Sequence, residues 1–263
     1  GKSRVIQNIT ILNKVYIPVQ NVPSTLITIE VNYNDGLPEV YQLPLGFLSP
    51  KMDEEYKELP AKGIIAKLNL DGEEGYLFDA VYSESFRNVL FRNIKIGRSL
   101  QGGRGNLVFY HSDNDFAAEA EKVHSKILNA EQSNTSLIFD NKYFLKLYRK
   151  LDNTINPDLE ITRYLTEKTD YQNSPRFVGA IEYSQDSRNI IVLGMMQDLI
   201  PNQGDAWDYT KDALHRFFDR VVTLPKEREF EEVQHTLTPL SYQDLSDSMK
   251  ELMGAAFPER ISL

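Results

Sequence analysis

The side chains best suited to chemistry lie between Glu131 and Glu160. Glu131-Gln132-Ser133-Asn134-Thr135-Ser136 is a run of small polar residues without glycine. It leads into a short apolar strand, Leu137-Ile138-Phe139, a turn at Asp140-Asn141, and a second strand from Tyr143 to Tyr148. Lys146 is the only charge within that second strand. Asn156-Pro157 then opens a helix with Glu160 in its first turn, since Asn is a favoured N-cap and Pro a favoured first residue. Together these are the parts that handle nucleotide phosphates. Backbone N–H groups of a polar turn hold phosphate oxygens, a strand lysine reaches the phosphates, and a helix glutamate fixes the lysine by an ion pair. Ser133, Asn134, Thr135, Ser136, Lys146 and Glu160 are therefore the candidate nucleotide contacts. Gln197, just past a strand ending at Met196, falls where backbone groups would meet an adenine base, with Met195 and Met196 beside it.

Each of these residues also has a plainer reading. A lone strand lysine keeps sheet edges from pairing, and an acid in a first helical turn favours the positive end of the helix dipole. The Ser133–Ser136 run also suits an ordinary turn, and buried methionines fill cores. Asp205 reads first as a helix cap, and Trp207 first as core packing. Two further motifs carry no specific signal. His111-Ser112-Asp113 has the H-x-D spelling of a catalytic loop but precedes Lys146, whereas that loop must follow the nucleotide-binding strands. Gly102 to Gly105 lacks the Gly-Lys-Ser/Thr ending of a P-loop.

The wording of the chain is more specific than its spacing. EQSNTS, FLKLYRKL, NPDLEITRYLTE and QGDAWDYT resemble the maltokinase family, as do Leu43-Pro44-Leu45, Gly75-Tyr76-Leu77-Phe78-Asp79-Ala80 and the opening Gly1-Lys2. The resemblance implies an α+β fold. A β-rich N-terminal cap domain over residues 1–128 would precede a protein-kinase-like N-lobe, antiparallel sheet plus helix, over residues 129–263. It implies transfer of the ATP γ-phosphate to maltose to give maltose 1-phosphate, with ATP and Mg²⁺ as cofactors. It also implies a trehalose synthase domain, fused or separate, as partner. In that family the catalytic base and the Mg²⁺ ligands come from a helical C-lobe. No aspartate after Trp207 sits in a suitable catalytic-loop setting, so the expectation is a partial module with that lobe absent. No catalytic residue and no metal ligand is assigned within it. Two other classes stay open. One is a non-catalytic docking module of a trehalose synthase. The other is a different small-molecule kinase, such as an aminoglycoside or choline phosphotransferase, against which the cap-like first half argues.

Composition sets outer bounds. A chain of 263 residues, 41% hydrophobic and 25% charged, can bury one large core or two ordinary ones. Zero cysteines exclude a disulfide framework and a thiolate nucleophile. A net charge of −9 opposes non-specific nucleic-acid binding. No apolar run approaches the roughly 20 residues of a membrane span, and no signal-peptide layout opens the sequence. The expected setting is cytoplasmic, without nucleic-acid or membrane partners.

The elements that must position the candidate residues follow from periodicity. Thr25 to Tyr33 alternates, with Ile27, Ile29, Val31 and Tyr33 on one face, and turns at Asn34-Asp35-Gly36 into Glu39 to Leu45. A second hairpin joins Ile64–Leu70 to Gly75–Phe78. Ser85 to Ile94 has helical spacing, and Asn106 to Tyr110 reads as a strand. Asp113 to Lys126 reads as a connector with helical character, and the domain boundary is placed near Leu128. Arg176 to Tyr183 and Asn189 to Met196 read as strands. Gly204 to Val222 reads as an amphipathic helix directing Trp207, Leu214, Phe217, Phe218 and Val221 to a core. Thr223 to Thr238 reads as irregular, and Ser241 with Asp244 as the capping box of a last helix.

Overall fold

The structure is a computed structural model that describes residues 4–20, 22–49, 59–112, 116, 123–130, 133–152, 154–185, 190–202, 204, 206–223, 241–247 and 250. The chain divides into two compact units, Gly1–Ile200 and Pro201–Leu263. The described residues of the first form two antiparallel sheets. One is six-stranded, with β1 (Ile6–Ile17), β2 (Ser24–Tyr33), β3 (Glu39–Leu48), β4 (Ile64–Leu70) and β5 (Glu73–Asp79) in the order β1-β2-β3-β5-β4. Its sixth strand, β11 (Lys150–Leu151), pairs with β3 at Val40 and Tyr41, while β5 takes Leu45 to Leu48. The other sheet is seven-stranded. It contains β6 (Ser99–Gln101), β7 (Asn106–His111), β8 (Ser125–Ala130), β9 (Asn134–Phe139), β10 (Tyr143–Tyr148), β12 (Phe177–Ser184) and β13 (Ile190–Asp198). Their order is β6-β7-β12-β13-β10-β9-β8.

Local chemistry explains the turns. The β4–β5 hairpin is closed by Asp71 and Gly72, both at positive φ (52° and 87°), the conformation a two-residue hairpin needs. Asp140 and Asn141, after β9, also have positive φ, which short polar Asx side chains tolerate. Helix α1 (Glu84–Lys95) is capped by the Ser83 hydroxyl accepting from the Phe86 N–H. It buries Phe86, Leu90, Phe91 and Ile94 in a core shared with Leu26 and Phe78 of the first sheet and Phe109, Phe139 and Leu145 of the second. Helix α2 (Pro157–Lys168) starts as its sequence requires, with the Asn156 side chain accepting from Leu159 N–H at 3.2 Å.

Several expectations change. The boundary near Leu128 falls inside β8, and the seven-stranded sheet draws β6 and β7 from before that point and β9, β10, β12 and β13 from after it. One sheet spans residue 128 because β12 pairs with β7 along Leu107 to His111. Ser125 and Lys126 are strand residues, as their ladder to Phe139 and Ile138 requires. The chain β1, absent from the sequence reading, is paired with β2 over most of its length. Along β2, Leu26 and Thr28 are buried, then Ile29 and Val31, so the buried face changes partway instead of following Ile27 to Tyr33.

The second unit contains helix α3 (Ala206–Thr223) and a 3-10 turn at Tyr242–Asp244. Its expected apolar stripe is largely at the surface, with Trp207, Leu214 and Phe218 exposed and Ala213 buried. Where the last helix was expected to start, Ser241 is followed by that 3-10 turn, with Gln243 N–H donating to the Ser241 hydroxyl, and the described helical residues come later, at Asp247 and Lys250. Gly1-Lys2, Asp113, Asp205 and the stretch 224–240 lie outside the described residues. Among the described residues no helix is long and apolar enough to cross a membrane.

Glu39 ties β11 to the first sheet. Its carboxylate accepts from Arg4 (2.5 Å), Lys150 (2.9 Å), Tyr33 OH (2.9 Å) and Tyr41 OH (2.5 Å). The Tyr41 hydroxyl first, then Lys150, Arg4 and Tyr33, hold this carboxyl far below the ordinary glutamate value of 4.5. As pH falls through that value the unfolded chain takes up a proton that the folded chain still refuses, so stability must fall with pH. Urea midpoints measured from about pH 7 down to about pH 3.5 should therefore decline less steeply in Glu39→Gln than in the wild type. Parallel curves would show that the carboxylate is not held ionised by this cluster.

Candidate nucleotide site

The register of three strands decides which candidate residues meet. Lys146 of β10 lies opposite Ser136 of β9 on one side and Met195 of β13 on the other. Tyr148 lies opposite Asn134, and Phe144 opposite Gln197. Directly opposed residues share a face and neighbours along a strand alternate. Asn134, Ser136, Lys146, Tyr148, Met195 and Gln197 thus occupy one face. Thr135 opposes Leu147 on the other face. It is 1% exposed, and its hydroxyl accepts from Arg149 Nε at 2.8 Å. Met196 is also on that inner face, fully buried in the core.

Ser133 to Ser136, expected as a phosphate-holding turn, is mostly strand. Only Ser133 is a bend, and β9 begins at Asn134. Thr135 and Ser136 are paired with β10 on one side and β8 on the other, so their backbone groups belong to the ladders. Gln197 is likewise paired on both sides, with Phe144 and Phe177, and its backbone is within the sheet rather than beyond it.

The ion pair expected between Lys146 and Glu160 is made with Asp158 instead. The Lys146 ammonium donates to Asp158 Oδ2, and Tyr148 OH donates to the same oxygen at 3.2 Å. Burial, then the facing Asp158 charge, pushes the Tyr148 hydroxyl above its usual range, so it stays a donor. Helix geometry explains the exchange of partners. Two residues along a helix are turned by roughly 200°, so only one of Asp158 and Glu160 can face the sheet. Glu160 is exposed and lines a separate groove of about 670 Å³ on another side of α2, beside Arg163, Tyr164 and Glu167. Asp158 was the overlooked residue. The signal for it was its place one residue after Pro157, in the same first turn.

An open cleft of about 490 Å³ lies beside this pair, lined by Ser133, Asn134, Tyr148, Lys150, Asn156 and Asp158. It brings two of the expected polar residues to a helix start that carries a carboxylate and an amide. Such a place can hold polar ligand atoms through hydroxyl, amide and ammonium groups. Among the described residues no group of three or more His, Asp or Glu side chains is placed to hold a metal ion.

No family model matches the chain. A solved glucosamine kinase structure (crystal form B) aligns with 82% of this chain and 40% of its own, at 12% identity and a TM-score of 0.43. Likeness at that level does not define a shared fold or activity. The chain spans less than half the length of that glucosamine kinase. What the coordinates themselves define is a sheet-rich α+β protein in which a strand lysine is paired with an acid at a helix start.

The side chains of Lys146 and Asp158 are 29% and 44% exposed, so the pair contributes only on the order of 0.2–1 kcal/mol to stability. Its effect on the lysine's reactivity is a sharper readout. Acetylation of Lys146 followed by mass spectrometry should be faster in Asp158→Asn than in wild type and unchanged in Glu160→Gln. The reverse pattern would restore Glu160 as the partner.

Proposed function

We propose that this chain forms the nucleotide-handling half of a small-molecule kinase, and that the kinase is a maltokinase forming maltose 1-phosphate from ATP and maltose. The observation that carries the proposal is the order of elements around Lys146. Three consecutive antiparallel strands, β8 to β10, end with the lysine on the third, and the next helix supplies its carboxylate. Two further strands, β12 and β13, follow, and β13 returns beside β10. A lysine on the third strand with an acid from the following helix is the arrangement by which kinases hold ATP phosphates. In this chain Asp158 takes the acid's place. The family resemblance of the sequence around these residues supports the finer reading of maltose as acceptor.

In this reading Asp158 keeps its hold on one N–H of the Lys146 ammonium and so orients it, while the remaining donors meet phosphate oxygens when nucleotide enters. Ser133 and the side chains of Asn134 and Ser136 offer hydroxyl and amide groups near the same place. Gln197 and Met195 share the face on which the base would lie. Mg²⁺ bound with ATP would supply charge neutralisation on the phosphates, and no side chain of this chain is assigned to hold it. Its ligands, and the group that orients the sugar hydroxyl, are proposed to come from outside this chain, in the parent polypeptide. A trehalose synthase domain is the proposed partner there.

Positioning and electrostatics are nearly all the catalysis in phosphoryl transfer, so losing the phosphate-reaching lysine is severe. In the parent polypeptide, supplied with ATP, Mg²⁺ and maltose, Lys146→Ala should lower maltose 1-phosphate formation by roughly two orders of magnitude or more. The 263-residue chain alone should give no turnover. Wild-type activity in Lys146→Ala would remove the nucleotide role, and robust turnover by the short chain would overturn the view that it holds half a site.

A further inference from the structure

We infer that the six-stranded sheet sets the position of the proposed nucleotide strands, and that Arg149 and Asp79 are the positioning residues through which it does so. This rests on the nucleotide reading of Lys146 and the Ser133–Ser136 segment. Arg149 is the single residue between β10, which carries Lys146, and β11, which belongs to the other sheet. Its backbone faces both ways. Arg149 N–H donates to Ser133 O at 2.7 Å, and Arg149 O accepts from Gln42 N–H of β3 at 2.9 Å. Its guanidinium does the same. Nε donates to the Thr135 hydroxyl at 2.8 Å, and Nη2 donates to Asp79 Oδ2 at 2.6 Å.

Asp79 is itself fixed at the end of β5. Its Oδ1 accepts from Val81 N–H at 3.2 Å, capping a short 3-10 turn at Ala80–Tyr82. Gln42 adds a second tie. It is 2% exposed and donates from Nε2 to Tyr148 O and Leu193 O, both at 2.6 Å, so it spans β10 and β13. The two strands whose outer face carries Asn134, Ser136, Lys146 and Tyr148 are thus held from their inner side by polar groups of the first sheet. A guanidinium suits this task because its planar fork presents several donors in fixed directions. Lysine in its place could keep the charge opposite Asp79 but not the Thr135 bond.

The consequence is specific. Loosening this junction should shift the Ser133–Ser136 segment and the start of β11, which flank the cleft at Asp158, before it disturbs distant strands. Asp79→Asn keeps the cap acceptor and removes the charge, while Thr135→Val removes one hydroxyl in a buried, β-branched position. Hydrogen exchange by mass spectrometry should show amides of 133–139 and 143–149 exchanging about tenfold faster or more in Asp79→Asn, with a smaller rise in Thr135→Val. Amides of β12 should keep wild-type protection. In the parent polypeptide the KM for ATP should rise in both variants while the KM for the acceptor sugar stays unchanged. Uniformly faster exchange across all strands would reduce these residues to general stability and overturn the inference. Local loosening with an unchanged KM for ATP would also overturn it, since the junction would then hold strands without serving a site. The two readings separate through Lys146→Ala. If that variant loses activity while the Asp79 and Thr135 variants keep their ATP KM, the nucleotide role stands and only the positioning role fails.

Discussion

A single residue, Arg149, carries the chain from β10 of one sheet to β11 of the other. Its backbone N–H and C=O, its Nε and its Nη2 each have a partner at the crossing that limits how the sheets can move. Gln42 reinforces it from the opposite direction with two short bonds to backbone carbonyls of β10 and β13. Burial pushes the Asp79 carboxyl above its usual range, more than the Arg149 charge and the Val81 N–H pull it down. Removing one partner of a fully buried pair costs about 3–5 kcal/mol, and less here because Asp79 keeps 24% of its side chain exposed.

The division of labour across the seven-stranded sheet follows from strand alternation. Its inner face supplies Leu137, Phe139, Leu145, Leu147 and Met196 to the core around α1, where Phe91 packs against Phe139 and Tyr143. Its outer face carries Asn134, Ser136 and Lys146 beside the buried Ile138, Met195 and Tyr148, and receives the start of α2. Any residue of β9 or β10 is committed to one role by its parity. Thr135 therefore serves the junction and Ser136 the outer face, although they are neighbours with similar side chains.

The partner of Lys146 follows from the helix. Asn156 and Pro157 set where α2 begins, and that start sets which acid faces the sheet. With Asp158 turned toward Lys146, Glu160 points elsewhere and joins Arg163 and Glu167 along a different groove. Tyr148, two residues beyond Lys146 on the same face, gives Asp158 a second donor. Only a shift of two residues in the helix start would bring Glu160 to the place that Asp158 holds.

The residue pattern by itself determined the local elements. Period-2 alternation, Asx and glycine turns and the Asn156-Pro157 start located most strands and helices α1 and α2, because those signals act over a few neighbouring residues. It also singled out Lys146 and the polar run before it, since a lone charge in an apolar strand is visible without a fold. Tertiary structure decided what those residues meet. Strand order joined β7 to β12 across the expected boundary at residue 128, and no local signal reports a pairing of residues some 70 positions apart. Register put Thr135 on the inner face, and helix phase gave Lys146 to Asp158. Arg149, Asp79 and Gln42 were silent in the sequence for the same reason. Each is an ordinary polar residue at a strand or a strand end, and its partners are distant in the chain and close only once both sheets have formed.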